Sequence, residues 1–186
     1  ILPPLEIVPH FVESHATPEG MLFFTHLHGI QDRTAIRRQT LPERLAKLKE
    51  LLSNDTDQWI IWVGLDEEGR AVREVIPEAV EVKGSDTPEH KAETFEAFQD
   101  GKFRLLVTKA KIGGFGMNFQ NAHKMAFFGL NDSWETWYQA IRRQWRFKQE
   151  HPVTAQGVPD QTPGSGEGCG EPAGRCRGHL APPFSP

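Results

Sequence analysis

Three arginines lie among aromatic residues in the segment 139–149, which reads QAIRRQWRFKQ. Arginine remains charged at neutral pH, and its planar fork of N–H donors matches the oxygens of a phosphate group. In phosphoryl transfer, an arginine can stabilise the charge that develops on the γ-phosphate of a nucleotide. The segment therefore indicates either a phosphate-binding site, built from a pair of its arginines, or a basic helix face that contacts only water.

A helix over residues 139–149 would place the cations and the aromatic rings on opposite sides. At about 100° per residue, Gln139, Arg143 and Arg146 lie within roughly 60° of one another, with Arg142 beside them. The opposite side carries apolar residues, namely Trp134, Trp137, Ile141 and Trp145. The spacing thus predicts that the apolar residues anchor the helix to a core and hold the guanidinium groups on a rigid, outward stripe.

A second candidate stretch, VTKAKIGGFGMNFQ at residues 107–120, follows a predicted strand. Its glycines permit a tight turn, so that backbone amides can approach a phosphate or a sugar closely. Lys109 and Lys111 add positive charge to the same stretch. The glycine spacing matches neither the G-x-x-x-x-G-K-[ST] phosphate loop nor the dinucleotide-binding G-x-G-x-x-G pattern. The glycines concerned are Gly113, Gly114 and Gly116.

Short apolar runs alternate with amphipathic segments along the chain. The runs QWIIWVGL, AVEVKG, FRLLVT and KMAFFGL predict strands, most of them apolar throughout. Helices are predicted over TLPERLAKLKELL, DEEGRAVREVI and SDTPEHKAETFEAFQDG, and a last helix begins near NDSWE. This alternation predicts an α/β fold whose parallel sheet is covered by helices on both faces. Because right-handed crossovers bring the carboxyl ends of such strands to one edge, the chemistry is expected in the loops that follow them.

Two of the predicted helices carry start and stop signals. In the first, Thr40 and Glu43 fit a capping box. Its apolar stripe consists of Leu41, Leu45, Leu48 and Leu52. In the other, Thr87 before a proline predicts the start and Gly101 the end, with an inner face formed by Phe95 and Phe98.

Together these stretches resemble the second RecA-like lobe of superfamily 2 helicases, nearest to the Swi/Snf-like branch and its phage-type relatives. One family motif reads roughly T-[KR]-A…G-G-x-G-x-N-[LF]; with Lys111 and Ile112 as two extra residues, it is matched by Thr108, Lys109, Ala110, Gly113, Gly114, Gly116 and Asn118. Another motif reads Q-x-x-x-R-x-x-R-x-G-Q and is matched by Gln139, Arg143, Arg146 and Gln149. Lys148 replaces the usual glycine of that motif, and Arg142 also stands where a glycine is common. QWIIWV and KGSDTPEHKAETFEAF resemble two further motifs, and the likeness extends over residues 40–153.

The resemblance implies that this chain is the C-terminal lobe of an ATP-dependent DNA helicase or translocase. ATP and Mg²⁺ would be held mainly by an N-terminal RecA-like lobe, in cis or in trans. Arg143 and Arg146 would be the catalytic arginine fingers. ATP binding would also involve Gln139, Gly114 and Gly116. The DNA backbone would be contacted, without sequence preference, by Ser85, Thr87, Thr108, Lys109 and Asn118.

The stretch WIIWVGLDEEG resembles a Walker B strand with an acidic box, yet no phosphate loop precedes it. A helix cap is therefore the preferred interpretation of Asp66, ahead of a Mg²⁺ ligand. Without a phosphate loop and a water-activating acid, the chain is expected to be half of an ATPase and inactive alone. Two alternatives remain: a non-catalytic nucleic-acid-binding or interaction module of the same fold, and an α/β nucleotide-binding domain with no helicase role.

The division of the chain follows from composition. Residues 1–39 are expected to be an inter-lobe linker and leading segment, with LPPLEIVPHFV as an edge strand or linker. Residues 40–153 would be the RecA-like lobe. Residues 154–186 form a Gly/Pro-rich stretch with few core-forming side chains, which predicts a disordered tail.

Charge and residue usage exclude several classes of function. The net charge of −4 means that nucleic-acid contact must come from a local basic patch. No apolar run reaches the roughly 20 residues of a membrane span, and a cytoplasmic protein of a bacterium or of a phage in its host is expected. No metal site is predicted from the His26–His28 pair or from the spacing of Cys169 and Cys176.

Overall fold

The computed structural model describes residues 2–10, 12–13, 34, 37–113, 117–129, 134–158 and 160–161. The strands are β1 Leu5–Pro9, β2 Val12–Glu13, β3 Trp59–Trp62, β4 Val80–Val82, β5 Leu105–Thr108, β6 Lys124–Phe127, β7 Val153–Gly157 and β8 Asp160–Gln161. The helices are α1 Leu41–Ser53, α2 Asp66–Val75, α3 Pro88–Gln99, α4 Ala110–Gly113 and α5 Trp134–Ile141. Within these ranges, every helix is too short or too polar to cross a bilayer.

Six parallel strands form the main sheet, in the order β1-β7-β6-β3-β5-β4, and β2 pairs with β8 in a separate two-stranded sheet. The central strands β3 and β5 are buried along their whole length, as expected for strands that are covered on both faces. The register sets Trp62 beside Thr108 on one side and beside Phe127 on the other. The α/β fold with a parallel sheet, predicted from the alternation of elements, is confirmed.

Helices cover both faces of this sheet. One face packs against α3 and α5 through a cluster that includes Phe95, Phe98 and Ile141. The other face packs against α1 and α2 through a second cluster that includes Leu48 and Val72. Since both clusters are buried, each strand of the centre contributes side chains to two apolar layers, which explains why these strands are almost entirely apolar.

The chain changes direction within the sheet between β3 and β6. These two strands are neighbours, yet β3 leads into α2 on one face and β6 leads into α5 on the other. Helices that leave adjacent strands toward opposite faces open a crevice at the carboxyl ends of those strands. This switch point is the place in an open parallel sheet where ligands are usually bound.

Helix α3 begins and ends as predicted, whereas α1 begins after Thr40 as predicted but lacks the predicted capping bond. Thr87 Oγ1 accepts a hydrogen bond of 3.2 Å from the backbone N–H of His90, and Gly101 adopts a left-handed φ of 73° after the helix. Thr40 makes no capping bond, because its hydroxyl donates to the carbonyl of Arg37 and accepts from Arg44 Nε at 3.2 Å. The predicted capping box is therefore wrong. The fully buried positions of α1 are Arg44, Leu48 and Leu52, while Leu41 and Leu45 are half-buried.

The main sheet includes strands β1 and β7, which extend beyond residues 40–153. Strand β7 pairs with β6 and β1 and contributes Ala155, which is 1 % exposed. Val158 follows this strand and is completely buried. The disorder predicted directly after residue 153 is thus wrong for residues 154–158, because pairing on both sides orders a strand of mixed polarity. Strand β1 is an edge strand, as one of the two readings of its sequence predicts.

Candidate functional site

The arginine segment is not one continuous helix. Helix α5 ends at Ile141, and the predicted helix over residues 139–149 is wrong beyond that point. The chain continues in tighter turns, in which the N–H of Arg143 donates to Ala140 and the N–H of Gln144 donates to Ile141. Lys148 then adopts a left-handed φ of 75°, a conformation that a right-handed helix cannot include. The cations consequently lie on a compact turn instead of a helical stripe.

Two buried glutamines explain this departure from helical geometry. Gln144 is completely buried, and its Nε2 donates to the carbonyl of Lys124 at 3.0 Å. Gln149 is 6 % exposed, and its Nε2 donates at 3.1 Å each to the carbonyls of Gln120 and Ala122. A buried amide without a partner is costly, so these bonds fix the path of the segment. The helical period of the sequence carries no information about such distant partners.

The two sequence motifs meet at this turn. Arg146 Nη1 donates to the side-chain carbonyl of Asn118, and the N–H of Phe119 donates to the carbonyl of Arg143 at 3.0 Å. Gln120 Nε2 also donates to the carbonyl of Phe147. Residues 118–122 and 143–149 are therefore joined along their length. One segment therefore cannot move without breaking these hydrogen bonds or moving the other segment with it.

The three arginines have different surroundings. Arg143 is half-buried, and desolvation, followed by the nearby charge of Arg146, lowers the pKa of its guanidinium. Arginine still remains charged at neutral pH, so Arg143 is a partly desolvated cation. Arg142 instead lies over the ring of Trp145 at 5.5 Å, in a cation–π contact. Gln139 is exposed on α5, while Gly114 and Gly116 lie outside the described residues.

Four of the five residues predicted to contact nucleic acid lie at the carboxyl ends of parallel strands and share one edge of the sheet, whereas Asn118 lies nearer the start of β6. Ser85 and Thr87 are exposed after β4, and Thr87 is engaged as the cap of α3. Thr108, at the end of β5, is completely buried, and its hydroxyl donates to the carbonyl of Val82 at 3.2 Å. Its side chain thus joins β5 to β4. Direct contact of Thr108 with a ligand stays a prediction.

Lys109 is held by a carboxylate at this edge. Its Nζ lies 2.7 Å from Asp66 Oδ1, and the hydrogen bond and charge of Lys109 hold the pKa of Asp66 below its ordinary value. Asp66 is the first residue of α2 and does not cap it. The helix start is instead bound by Glu68, whose Oε2 accepts from the N–H groups of Gly64 and Leu65 at 2.9 and 3.0 Å. The predicted capping role therefore belongs to Glu68.

Glu68 is also the centre of a buried charged cluster that the sequence patterns do not predict. Its carboxylate binds Arg44 at 3.0 Å and Arg37 at 2.9 Å. The side chains of Glu68 and Arg44 are both 1 % exposed, and that of Arg37 is 15 % exposed. Arg44 also donates to the carbonyl of Phe128. The recurrence of Arg44 with Leu48 and Leu52, at a spacing of four residues, is the one signal in the sequence that places it on the core face of α1.

A pocket of about 200 Å³ lies at the switch point of the sheet. It is bounded by the ends of β3, β5 and β6 and by the start of α5. The lining residues are Trp62, Val63, Gly64, Lys109, Ala110, Lys111, Phe127, Gly129, Thr136 and Trp137. In the described part of the chain, no three His, Cys, Asp or Glu side chains are grouped so that they could hold a metal ion.

A family model described as the helicase conserved C-terminal domain matches residues 43–148, which is more than half of the chain. Among solved structures, the yeast DEAD-box splicing factor Prp28 has a TM-score of 0.64 and 13 % identity, covering 86 % of this chain and 30 % of that chain. A hypothetical ATP-dependent RNA helicase from Sulfolobus tokodaii has a TM-score of 0.59 and 15 % identity, covering 83 % and 38 %. The C-terminal part of the Fun30 ATPase domain has a TM-score of 0.57 and 18 % identity, covering 62 % and 40 %.

At these identities, the solved structures establish the fold, which is the RecA-like one expected from the motifs. The chain spans 30 to 40 % of the length of these three structures. Comparison with curated protein sequences finds no match.

Proposed function

Because the chain belongs to the family of the helicase conserved C-terminal domain, we propose that it works as the C-terminal lobe of an ATP-dependent DNA helicase or translocase. The observation that carries the proposal is the junction of the two motifs, in which Arg146 is bound to Asn118 and Arg143 to Phe119. One motif supplies the cations for ATP, and the other begins at Thr108, at the edge where nucleic acid would lie, and extends to the junction at Asn118. A single junction therefore connects the two ligands.

In this proposal, Arg143 and Arg146 contact the phosphates of an ATP that is held, with Mg²⁺, mainly by an N-terminal RecA-like lobe in cis or in trans. Their planar guanidinium groups stabilise negative charge as the terminal phosphate is transferred to water. Arg143 is suited to this role because it is already partly desolvated. Gln139, Gly114 and Gly116 complete the ATP side of the proposed site.

The DNA side of the proposed site consists of backbone contacts. Lys109 and Lys111 form a local basic patch after β5, despite the net charge of −4. Ser85 and Thr87 lie at the same edge, after β4, where their hydroxyl groups can reach phosphate oxygens. Contacts of this kind position the strand without reading its sequence, as a translocating enzyme requires.

The test is ATP turnover by a two-lobe enzyme in which an N-terminal RecA-like lobe precedes this chain. Arg143→Ala or Arg146→Ala should lower turnover at saturating DNA by about 10³-fold, as for other arginine fingers. Lysine should restore little activity, since it keeps the charge but loses the planar fork. DNA affinity should change much less than turnover.

Arg142→Ala is the matched control, because this arginine packs over Trp145 and corresponds to no finger position. It should leave turnover nearly unchanged. If all three alanine variants weaken DNA binding equally and keep full turnover, the segment is a nucleic-acid-binding face, and the non-catalytic module is the correct function.

A further inference from the structure

The arginine turn, residues 142–149, is bonded to the segment that precedes β1. The indole N–H of Trp145 donates a hydrogen bond of 2.8 Å to the carbonyl of Pro3, 142 residues earlier in the chain. Trp145 lies between the two proposed fingers, two residues after Arg143 and directly before Arg146. The turn that carries the fingers is therefore joined to the segment that leads into the lobe.

The leading segment is stiff at this point. The carbonyl of Pro4 accepts a hydrogen bond of 2.9 Å from the N–H of Val153, so residues 3 and 4 are held by the arginine turn and by β7. A proline ring fixes φ, and a residue that precedes a proline is restricted to extended conformations. The carbonyl of Pro3 consequently has little freedom to turn away from the indole. A displacement of this segment is passed on to Trp145.

Trp145 is engaged through its ring and its backbone as well. The ring packs against the buried cluster that faces α3 and α5, as does Leu5 of β1. The guanidinium group of Arg142 lies over the ring at 5.5 Å, and the backbone N–H of Trp145 donates to the carbonyl of Ile141 at 2.9 Å. Trp145 thus connects β1, the end of α5 and the arginine turn.

We propose that Trp145 is a positioning residue, which holds Arg143 and Arg146 in place for ATP while the leading segment is docked on the lobe. The inference rests on the proposed function and on the expectation that residues 1–39 are the inter-lobe linker. Movement of this linker, as the two lobes close or open, reaches the fingers through Pro3 and Trp145. Trp145 acts through the arginines and needs no contact with ATP.

The first experiment measures hydrogen exchange in the full 186-residue chain and needs no ATP. Trp145→Phe keeps an aromatic ring for the core and for Arg142 but removes the indole N–H. The hydrogen-bonded amides of residues 142–149 should exchange about 5-fold faster, while those of β3 and β5 stay unchanged. Thermal melting identifies a variant that fails to fold. In that case Pro4→Ala, which relaxes the restriction on Pro3, should show a smaller change in the same direction.

The matched control is Gln156→Ala. It removes the hydrogen bond that His10 Nε2 donates to Gln156, which also joins the leading segment to β7 but does not involve the arginine turn. It should leave the exchange of residues 142–149 unchanged. Unchanged exchange in Trp145→Phe, or an equal acceleration in Gln156→Ala, would refute the coupling through Trp145.

The second experiment measures ATP turnover by the two-lobe enzyme. Trp145→Phe should lower kcat about 10-fold, with little change in the KM for ATP or in DNA affinity, because misplaced fingers lose their effect on the reacting phosphate. In the Arg146→Ala background the same change should cost almost nothing. If kcat is unchanged, or if the losses multiply in the double variant, the positioning role is wrong. If Arg146→Ala itself leaves turnover intact, the finger assignment has failed and the positioning role fails with it, whereas the exchange result still decides whether Trp145 couples the two segments.

Discussion

The guanidinium group of Arg146 is hydrogen-bonded to the side-chain carbonyl of Asn118, 28 residues earlier in the chain. Asn118 lies after the loop that follows β5, and Arg146 lies after α5. Since an amide oxygen is neutral, it can orient a cation without neutralising it. Asn118 is thus well placed to position Arg146 for a phosphate.

This relationship predicts non-additive effects on turnover in the two-lobe enzyme. Asn118→Ala should lower the rate of ATP hydrolysis at saturating DNA by about 10-fold or more, because a misplaced catalytic group loses much of its effect. In the Arg146→Ala background the same change should cost almost nothing. Equal losses in both backgrounds would show that Asn118 acts on DNA directly and not through Arg146.

A second prediction concerns the ion pair between Lys109 and Asp66. Asp66→Asn should raise the affinity of the chain for single-stranded DNA about 2- to 5-fold at low salt, because the lysine is released for phosphate. The gain should shrink as salt is added. Fluorescence anisotropy over a salt series measures both effects.

The matched control is Glu67→Gln, which changes the net charge equally but breaks the neighbouring pair with Arg38 at 2.6 Å. It should alter DNA affinity less than Asp66→Asn does. Equal gains would mean that net charge alone is responsible and that Lys109 has no special position.

A third prediction concerns the buried cluster of Glu68 with Arg37 and Arg44. Glu68→Gln removes the carboxylate that binds Arg44, whose side chain is 1 % exposed. Removal of one partner from such a buried pair costs about 3–5 kcal/mol of the free energy of unfolding. Urea denaturation of the full chain measures this loss. Glu67→Gln serves again as the control, since its pair is exposed, and a similar loss there would refute the importance of burial.

The sequence predicts the sheet better than the site, for a physical reason. Strands such as WIIW and LLVT are apolar at every position except Thr108, because helices cover both of their faces, so burial is visible in composition alone. Helix α3 is bounded by local signals at Thr87 and Gly101, which act within a few residues. Features of this local kind are available before the structure is known.

The parts that the sequence does not predict depend on distant partners. Gln144 leaves the helical path because of a carbonyl at Lys124, and Glu68 is buried because two arginines of an earlier segment surround it. Strand β7 is mixed in polarity, and its order comes from β1 and β6 on its two sides. Because these residues are charged or polar, the sequence predicts that they are exposed. They are buried or ordered only because distant groups pair with them.

The position of β7 predicts how far the chain can be shortened. A chain that ends at residue 152 loses Val153, Ala155 and Val158, which are at most 1 % exposed. It also leaves β6 and β1 without the strand between them. Its melting temperature should fall by about 10 °C or more, given that each kcal/mol is worth about 2–4 °C at this size. A chain that ends at residue 161 keeps every described residue and should melt like the full chain. Equal melting temperatures for both would show that β7 contributes little.

The last prediction concerns the pH dependence of stability. It involves His123, which lies directly before β6, at the edge of the sheet where the parallel strands begin. Burial lowers the pKa of His123, and the charges of His151 and Lys124 act in the same direction, whereas Asp57 and Asp55 oppose them. The folded chain therefore takes up this proton at lower pH than the unfolded chain does. The associated stability is complete above the unfolded pKa of about 6.5 and is lost as the pH falls from there through the folded pKa. His123→Gln removes this titration, so the melting temperature of the variant should fall less than that of the wild type between about pH 7 and pH 5.5. Asp57→Asn removes the carboxylate that lies 3.4 Å from His123 Nε2, so it should make the loss steeper. If the three melting profiles run parallel over this range, protonation of His123 is not linked to folding.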